Sequence, residues 1–310
     1  MASRGESGFA LPSRPPILLA AALAALATAL VLYVALPLGA RAGGVLYQVI
    51  AVGGVALGLC GVLRHKPARR SPWVLTLLGY AGWVAGDVLW FADQHLLDGT
   101  IAGPTEAVYL LSYLVLGAGT LAFVPGRRRR GDLDALLDAS IVTAGAGVVV
   151  TVFVLAPVAA DSALSLPAKL VATAYPLGDL FLLGVVARLV AAAGARTASY
   201  RLLAASLVAV LAADLTWNLD LLSSATTERW TTATWLLGYV LVGAAACVPS
   251  MRALAEPEPA RTRVGIGSRR LAALAGGLAL PTRITNAAVM APSTTRIRCR
   301  STAFLPVRRR

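Results

Sequence analysis

Four acidic side chains stand in or at the edge of long apolar stretches of this sequence. Asp87, Asp179 and Asp214 each fall within a hydrophobic run, and Glu106 begins another. A central Asp costs on the order of 2.5–3.5 kcal/mol when its helix enters a bilayer. Such a carboxylate can hold a proton or a cation, or it can stabilise helix packing by hydrogen-bonding a neighbouring helix. Both interpretations are open from the residues alone.

Aromatic residues accompany the acids at similar depth. A tryptophan follows Asp87 and Asp214 at the third position, and Pro176, three residues before Asp179, favours a helix kink that makes room for a pocket. We expect eight residues to line a cup in the outer half of the membrane that binds a small ligand or a cation: Asp87, Trp90, Glu106, Tyr109, Tyr175, Asp179, Asp214 and Trp217.

Long apolar helices must position these residues. Of the 310 residues, 57% are hydrophobic and 14% are charged, and about 20 apolar residues suffice to cross roughly 30 Å of hydrocarbon. The alternation typical of transmembrane strands is absent, so the sequence predicts an all-α, polytopic transmembrane helical bundle. Its eight predicted spans are Ile17–Ala35, Val45–Leu63, Trp73–Phe91, Ala107–Val124, Leu136–Val158, Leu170–Ala193, Leu202–Leu222 and Ala233–Val248.

The first span has an alternative as a cleaved secretory signal, because Ala40 and Ala42 could flank a cleavage site. Its apolar run is longer than the roughly 7–15 residues of most signal peptides. A membrane span is therefore favoured.

Basic residues are concentrated in alternate connections between the spans. Clusters at 64–70, 127–130, 188–201 and 252–263 alternate with connections that are mainly acidic. This pattern predicts a plasma (inner) membrane protein with a cytoplasmic N-terminus. The net charge of +13 then reflects topology and attraction to the anionic lipid bilayer, and nucleic acid is not an expected partner.

The two halves of the chain resemble each other. The D-x-x-W pattern at Asp87 returns at Asp214, and "YLLSYLVLG" from Tyr109 is echoed by "WLLGYVLVG" from Trp235. The spacing predicts two parallel four-helix repeats, although chance similarity between Leu/Ala/Val helices is the alternative. Gly54 and Gly58 form a G-x-x-x-G pattern that favours close helix contacts and is weak support for a homodimer.

The sequence lacks the motifs that are typical of several other kinds of chemistry. The two histidines, His65 and His95, lie in connections and offer no intramembrane haem pair. Zinc-ligand spacing, a phosphate-binding G-x-x-x-x-G-K-[ST] loop and a G-x-S-x-G elbow with a serving histidine are also missing. We therefore expect a non-enzymatic protein without a metal or a cofactor.

The ordered segments "GDVLW", "GPTEAVYLLSY", "LLDASIV", "YPLGDLFLLGVVARL", "ADLTW" and "WLLGYVLVGAAACVPSM" resemble a known family. It is the N-terminal multi-helix membrane module of actinobacterial GGDEF/EAL proteins of cyclic-di-GMP signalling. The resemblance implies a sensory or regulatory module, over about residues 17 to 281. The matching positions are Asp87, Trp90, Tyr109, Asp138, Tyr175, Pro176, Asp179, Arg188, Asp214, Trp235 and Tyr239.

The chain departs from this family in two ways. Glu106 stands where the pattern more often has Asp, and the catalytic GGDEF and EAL sequences are missing. The alternative function is a small-solute or ion transporter, because repeats with intramembrane carboxylates and a broken helix also build transport sites.

The domain organisation follows from these patterns. We expect a cytoplasmic tail at 1–16, an eight-helix membrane domain at 17–250, a cytoplasmic linker at 251–268, and a truncated ninth helix with a basic disordered tail at 269–310. From 282 onward there are seven arginines and no acidic residue, so this tail cannot bury a core. A truncated or frame-shifted relative of a longer protein is favoured over a natural basic tail that lies on anionic lipid.

Overall fold

The computed structural model describes residues 17–96, 102–124, 130–191, 197–219 and 225–254. The predicted N-terminal tail, nearly all of the predicted linker and the predicted ninth helix lie outside the described residues. Within these ranges every regular element is helical: α1 Ile17–Ala35, α2 Ala40–His65, α3 Ser71–Leu96, α4 Ala102–Leu121, α5 Arg130–Val150, a π-helical turn Thr151–Leu155, α6 Ala156–Ala160, α7 Leu166–Ala191, α8 Ala198–Leu219, α9 Ala225–Cys247 and α10 Met251–Leu254.

Seven of the described helices are long and apolar enough to cross a membrane. They correspond to seven of the eight predicted spans, and the chain is an all-α, multi-pass membrane bundle. The helix α4, predicted as a span at Ala107–Val124, is not among the seven. Its first turns hold Pro104, Thr105 and Glu106, which lower its apolar character.

The outer faces of the helices are apolar and the inner faces pack closely. Helix α1 has no buried residue, and Ile17 and Leu18 are 85% and 82% exposed. Such faces suit lipid and not water. The fully buried side chains include Trp73, Tyr80 and Leu116, and van der Waals packing of this kind holds transmembrane helices together.

The G-x-x-x-G pattern is used inside the chain. A Cβ on Gly54 would lie 2.4 Å from the carbonyl oxygen of Tyr239, and one on Gly243 would lie 2.5 Å from the carbonyl oxygen of Gly54. Helices α2 and α9 therefore touch backbone to backbone. A Cβ on Gly58 would lie 2.6 Å from a methyl carbon of Leu77 in α3, so both glycines serve contacts within one protomer.

Helix contacts repeat between the two halves of the chain. Helix α3 packs along α4 as α8 packs along α9, and α2 meets α9 as α7 meets α4. Each half therefore contributes a helix that packs on the other half. This exchange supports the predicted four-helix repeat and joins the halves into one bundle.

Candidate functional site

One end of the bundle contains a cavity of about 660 Å³. Its walls come from the first halves of α2, α4 and α7, the middle of α9 and the second halves of α3 and α8, with single residues of α1, the π-helical turn and α6. All eight residues that the sequence predicts for a cup line this one cavity: Asp87, Trp90, Glu106, Tyr109, Tyr175, Asp179, Asp214 and Trp217. The structure thus brings the predicted residues together, and ligand binding there stays a prediction.

Three tyrosine hydroxyls converge on Asp87. Tyr47 of α2 donates to its Oδ2 at 3.1 Å, Tyr239 of α9 donates to the same oxygen at 2.9 Å, and Tyr109 of α4 donates to Oδ1 at 2.8 Å. These donors are neutral. They satisfy the hydrogen-bonding capacity of the carboxylate but bring no positive charge to it.

Asp179 and Asp214 form a second acidic group. The Tyr113 hydroxyl lies 3.0 Å from Oδ1 of Asp179 and 3.2 Å from Oδ2 of Asp214, and the indole N–H of Trp235 donates to Oδ1 of Asp214 at 2.7 Å. Because both carboxylates reach one hydroxyl, they are immediate neighbours. A single hydroxyl hydrogen serves only one of them at full strength.

The hydrogen bonds around Asp87 and Asp214 follow one pattern. Each aspartate accepts from the aromatic residue on the fourth helix of its own half, Tyr109 or Trp235. Each also accepts from the tyrosine one helical turn further along the fourth helix of the other half: Tyr239 reaches Asp87 and Tyr113 reaches Asp214. The sequence repeat is therefore present in the site, with one tyrosine exchanged between the halves.

Glu106 and the two predicted tryptophans lie toward the mouth of the cavity. Glu106 is buried and accepts a hydrogen bond from the Tyr175 hydroxyl, which joins α4 to α7. Trp90 and Trp217 are each 38% exposed. The Trp217 ring packs at 5.6 Å against Trp235 with a tilt of 51°.

A smaller cavity of about 200 Å³ adjoins the first one. It is lined by apolar side chains of α5, α7 and α8, and it shares Val154 and Asp179 with the main cavity. Val154 lies in the π-helical turn that interrupts the α5 segment, and Pro176 of α7 stands in the same wall. Helix α7 continues through Pro176, and the smaller cavity lies beside that proline.

A layer of aromatic rings closes the cavity toward the other end of the bundle. Trp83 packs edge-on against Tyr113 at 5.1 Å and against Tyr80 at 5.6 Å, and Tyr80 packs against Tyr239 at 5.7 Å. The Tyr80 hydroxyl lies 2.5 Å from Ser206 Oγ, which donates to the carbonyl of Gly238 at 2.6 Å. We call Tyr80, Trp83, Tyr113 and Tyr239 the aromatic layer.

The lining of the main cavity is acidic and aromatic. Among the described residues it includes four carboxylates and no lysine, arginine or histidine. Two cations at this end of the bundle bind main-chain carbonyls instead: Lys169 donates to Ala159 at 2.8 Å, and Arg229 to Val34 at 3.4 Å. Within the described ranges no three His, Cys, Asp or Glu residues are grouped so that they could hold a metal ion.

Sequence reasoning missed several lining residues as site residues. Tyr47, Tyr113, Tyr239 and Trp235 supply most of the donors to the aspartates. The repeat contained a usable signal, because the last tyrosine of "YLLSY" and of "WLLGY" occupies the same place in each half.

In comparisons with protein-family models, curated proteins and solved structures, nothing matches this chain.

Proposed function

We propose that this protein is a sensory or regulatory membrane module of the cyclic-di-GMP signalling type, non-catalytic as it stands, and that its main cavity receives a small ligand. One observation carries the proposal: the cavity is open at one end of the bundle and closed by the aromatic layer toward the other. A site with one entrance suits detection of a ligand. A transporter would also have to open this site to the opposite side in a second conformation.

The exchanged tyrosines offer a way to signal. Asp87 is held by Tyr239 and Asp214 by Tyr113, so each aspartate ties its own half to the other one. A ligand that occupies one of these carboxylates releases a hydroxyl that joins the halves. Ligand binding then favours one relative position of the halves over another, which is the differential affinity that a conformational signal requires.

The charge pattern supports an external mouth. Arg64 lies in the last turn of α2 and Lys66 follows the helix, whereas the cavity lies where α2 begins. Because basic connections are retained in the cytoplasm, we propose that the cavity faces the outside of the plasma membrane.

Cysteine labelling tests the single entrance. Cys60, Cys247 and Cys299 are first replaced by serine, and Ala172→Cys, in the cavity wall, is compared with Ser250→Cys at the opposite end of the bundle. A membrane-impermeant methanethiosulfonate reagent is added from one side of oriented vesicles. We expect Ala172→Cys to react only from the outside and Ser250→Cys only from the cytoplasmic side. Reaction of Ala172→Cys from both sides would indicate alternating access and therefore a transporter.

A further inference from the structure

We infer that the main cavity binds an organic ammonium cation, because four carboxyl side chains and a wall of aromatic rings, with no basic residue in the described lining, surround one space of molecular size. This inference rests on the proposed function and names the ligand class of the same site. Three features of the cavity carry it: its charge, its rings and its volume.

The charge of the cavity is the first feature. Asp87, Glu106, Asp179 and Asp214 line it, and none of the described lining residues is basic. Tyrosine hydroxyls and one indole N–H donate hydrogen bonds to these four side chains, and Asp179 and Asp214 also hydrogen-bond each other. Acidic groups in a concave site with apolar walls focus a negative potential, which attracts cations and repels anions.

The rings distinguish an organic cation from other charged ligands. Trp217 and Trp235 form one tilted pair in the wall, and Tyr109 and Tyr175 form a second pair at 6.5 Å with an angle of 60°. Neither pair is stacked face to face. Exposed faces of tryptophan and tyrosine attract ammonium groups, and such aromatic sites are the usual way proteins bind quaternary ammonium ligands.

The volume argues against a bare metal ion. About 660 Å³ lies within the range of small-molecule sites, roughly 300–1,000 Å³. A divalent ion needs several oxygen ligands at about 2.0–2.6 Å around one point, and no three His, Cys, Asp or Glu residues of the described ranges are grouped in this way. The wall also holds an unused acceptor, because Gln48 lines the cavity and its Oε1 is buried without a hydrogen-bond partner.

Two probes of nearly equal shape test the inference on the full chain in detergent. Choline carries a quaternary nitrogen, and 3,3-dimethylbutan-1-ol has a neutral carbon in its place. Tryptophan fluorescence reports binding, since Trp90, Trp217 and Trp235 line the cavity. We expect choline to bind at least about tenfold more tightly than the alcohol, from the known strength of desolvated cation–π contacts.

Variants locate the binding. Asp87→Asn retains the shape of the side chain, removes its charge and should weaken choline binding about tenfold while leaving the alcohol unaffected. Asp161→Asn is the matched control, because Asp161 lies at the same end of the bundle but is exposed and outside the cavity. Its choline affinity should equal that of the wild type. The comparison of choline with the alcohol uses the wild-type chain, so it does not depend on whether any variant folds.

Three outcomes would overturn the inference. The first is equal affinity for choline and the alcohol, and the second is no response to either choline or ethanolamine at about 10 mM, the weak end of specific binding. The third is the same fluorescence change with sodium chloride at equal ionic strength, which would indicate an inorganic cation. None of these outcomes alters the labelling of Ala172→Cys, so the proposed function is tested separately.

Discussion

Replacing Gly54 by alanine should disturb both the packing of the bundle and the candidate site. The new Cβ would lie 2.4 Å from the carbonyl oxygen of Tyr239 and 2.7 Å from its carbonyl carbon. Ordinary contact begins at 3.4 Å, so helices α2 and α9 must separate locally by about 1 Å. Backbone atoms of a packed helix cannot turn aside as a flexible side chain can, and the whole turn of α9 has to move.

The size of the effect follows from this displacement. Overpacking of a well-filled interior costs about 1–3 kcal/mol. Tyr239 is also the residue whose hydroxyl lies 2.9 Å from Asp87, and a shift of about 1 Å lengthens this contact beyond hydrogen-bonding distance. An interhelical hydrogen bond in a membrane protein contributes about 0.6 kcal/mol on average and at most about 1.7. The two effects add, since both arise at one residue of α9.

Gly147→Ala provides a matched control. A Cβ at Gly147 of α5 would meet its nearest atom, a methyl of Leu180, at 3.9 Å, which is ordinary contact. Both substitutions gain the same helix propensity of up to about 1 kcal/mol. The difference between their unfolding free energies therefore isolates the clash at Gly54, and we expect it to be about 2–4 kcal/mol.

The assay is unfolding in detergent by denaturant, followed by circular dichroism. Tyr239→Phe is made alone and together with Gly54→Ala, so that a double-mutant cycle measures their coupling. Loss of the hydroxyl should lower stability in the wild type and have little further effect beside Gly54→Ala. Equal stability of Gly54→Ala and Gly147→Ala would refute the backbone contact between α2 and α9. Full additivity in the cycle would refute its connection to Asp87.

Two further predictions concern topology and activity. A reporter fused after Arg130 should be cytoplasmic and one fused near Asp98 external, because basic connections are retained inside. Finding both reporters on the same side would contradict the alternation of the spans. The purified chain should neither form nor degrade cyclic-di-GMP, because its sequence has no nucleotide-binding loop. Turnover in a preparation free of host enzymes would disprove this expectation.

The positions of the acids along their helices were enough to predict which of them meet. Asp87 falls late in one apolar run and Asp179 early in a later run of opposite direction, so both reach the same end of a bundle of alternating helices. Depth in a membrane depends only on distance along the helix. For this reason the sequence placed these residues together without knowledge of which helices are neighbours.

The neighbours themselves could not be predicted in this way. Tyr239 reaches Asp87 only because α9 of one half packs against α2 of the other. That contact depends on Gly54 and Gly243, two small residues in separate halves of the chain. A G-x-x-x-G pattern predicts close approach but does not name the partner helix. The pattern is weak support for a homodimer, which stays a prediction, and the described residues use both of its glycines for contacts within the chain.

The burial of α4 gives information about this helix that its composition alone does not. Because its first turns are polar, α4 is not one of the seven candidate membrane spans. Thr105 and Glu106 are nevertheless only 2% and 7% exposed, so their polar groups are covered by protein and not by lipid. Polar groups covered in this way are tolerated within a membrane.

The contacts between α4 and α3 fix its depth. Tyr109 faces Gly86, Ser112 faces Gly82, Leu116 faces Gly79 and Gly119 faces Thr76. Residue numbers rise along α4 as they fall along α3, so the two helices run antiparallel along nearly their whole length. Since α3 is long and apolar enough to cross the membrane, we expect α4 to cross the same layer beside it. The alternation of basic and acidic connections needs this additional crossing, because without it the arginines at 127–130 would follow the acidic connection at Asp98 on the same side.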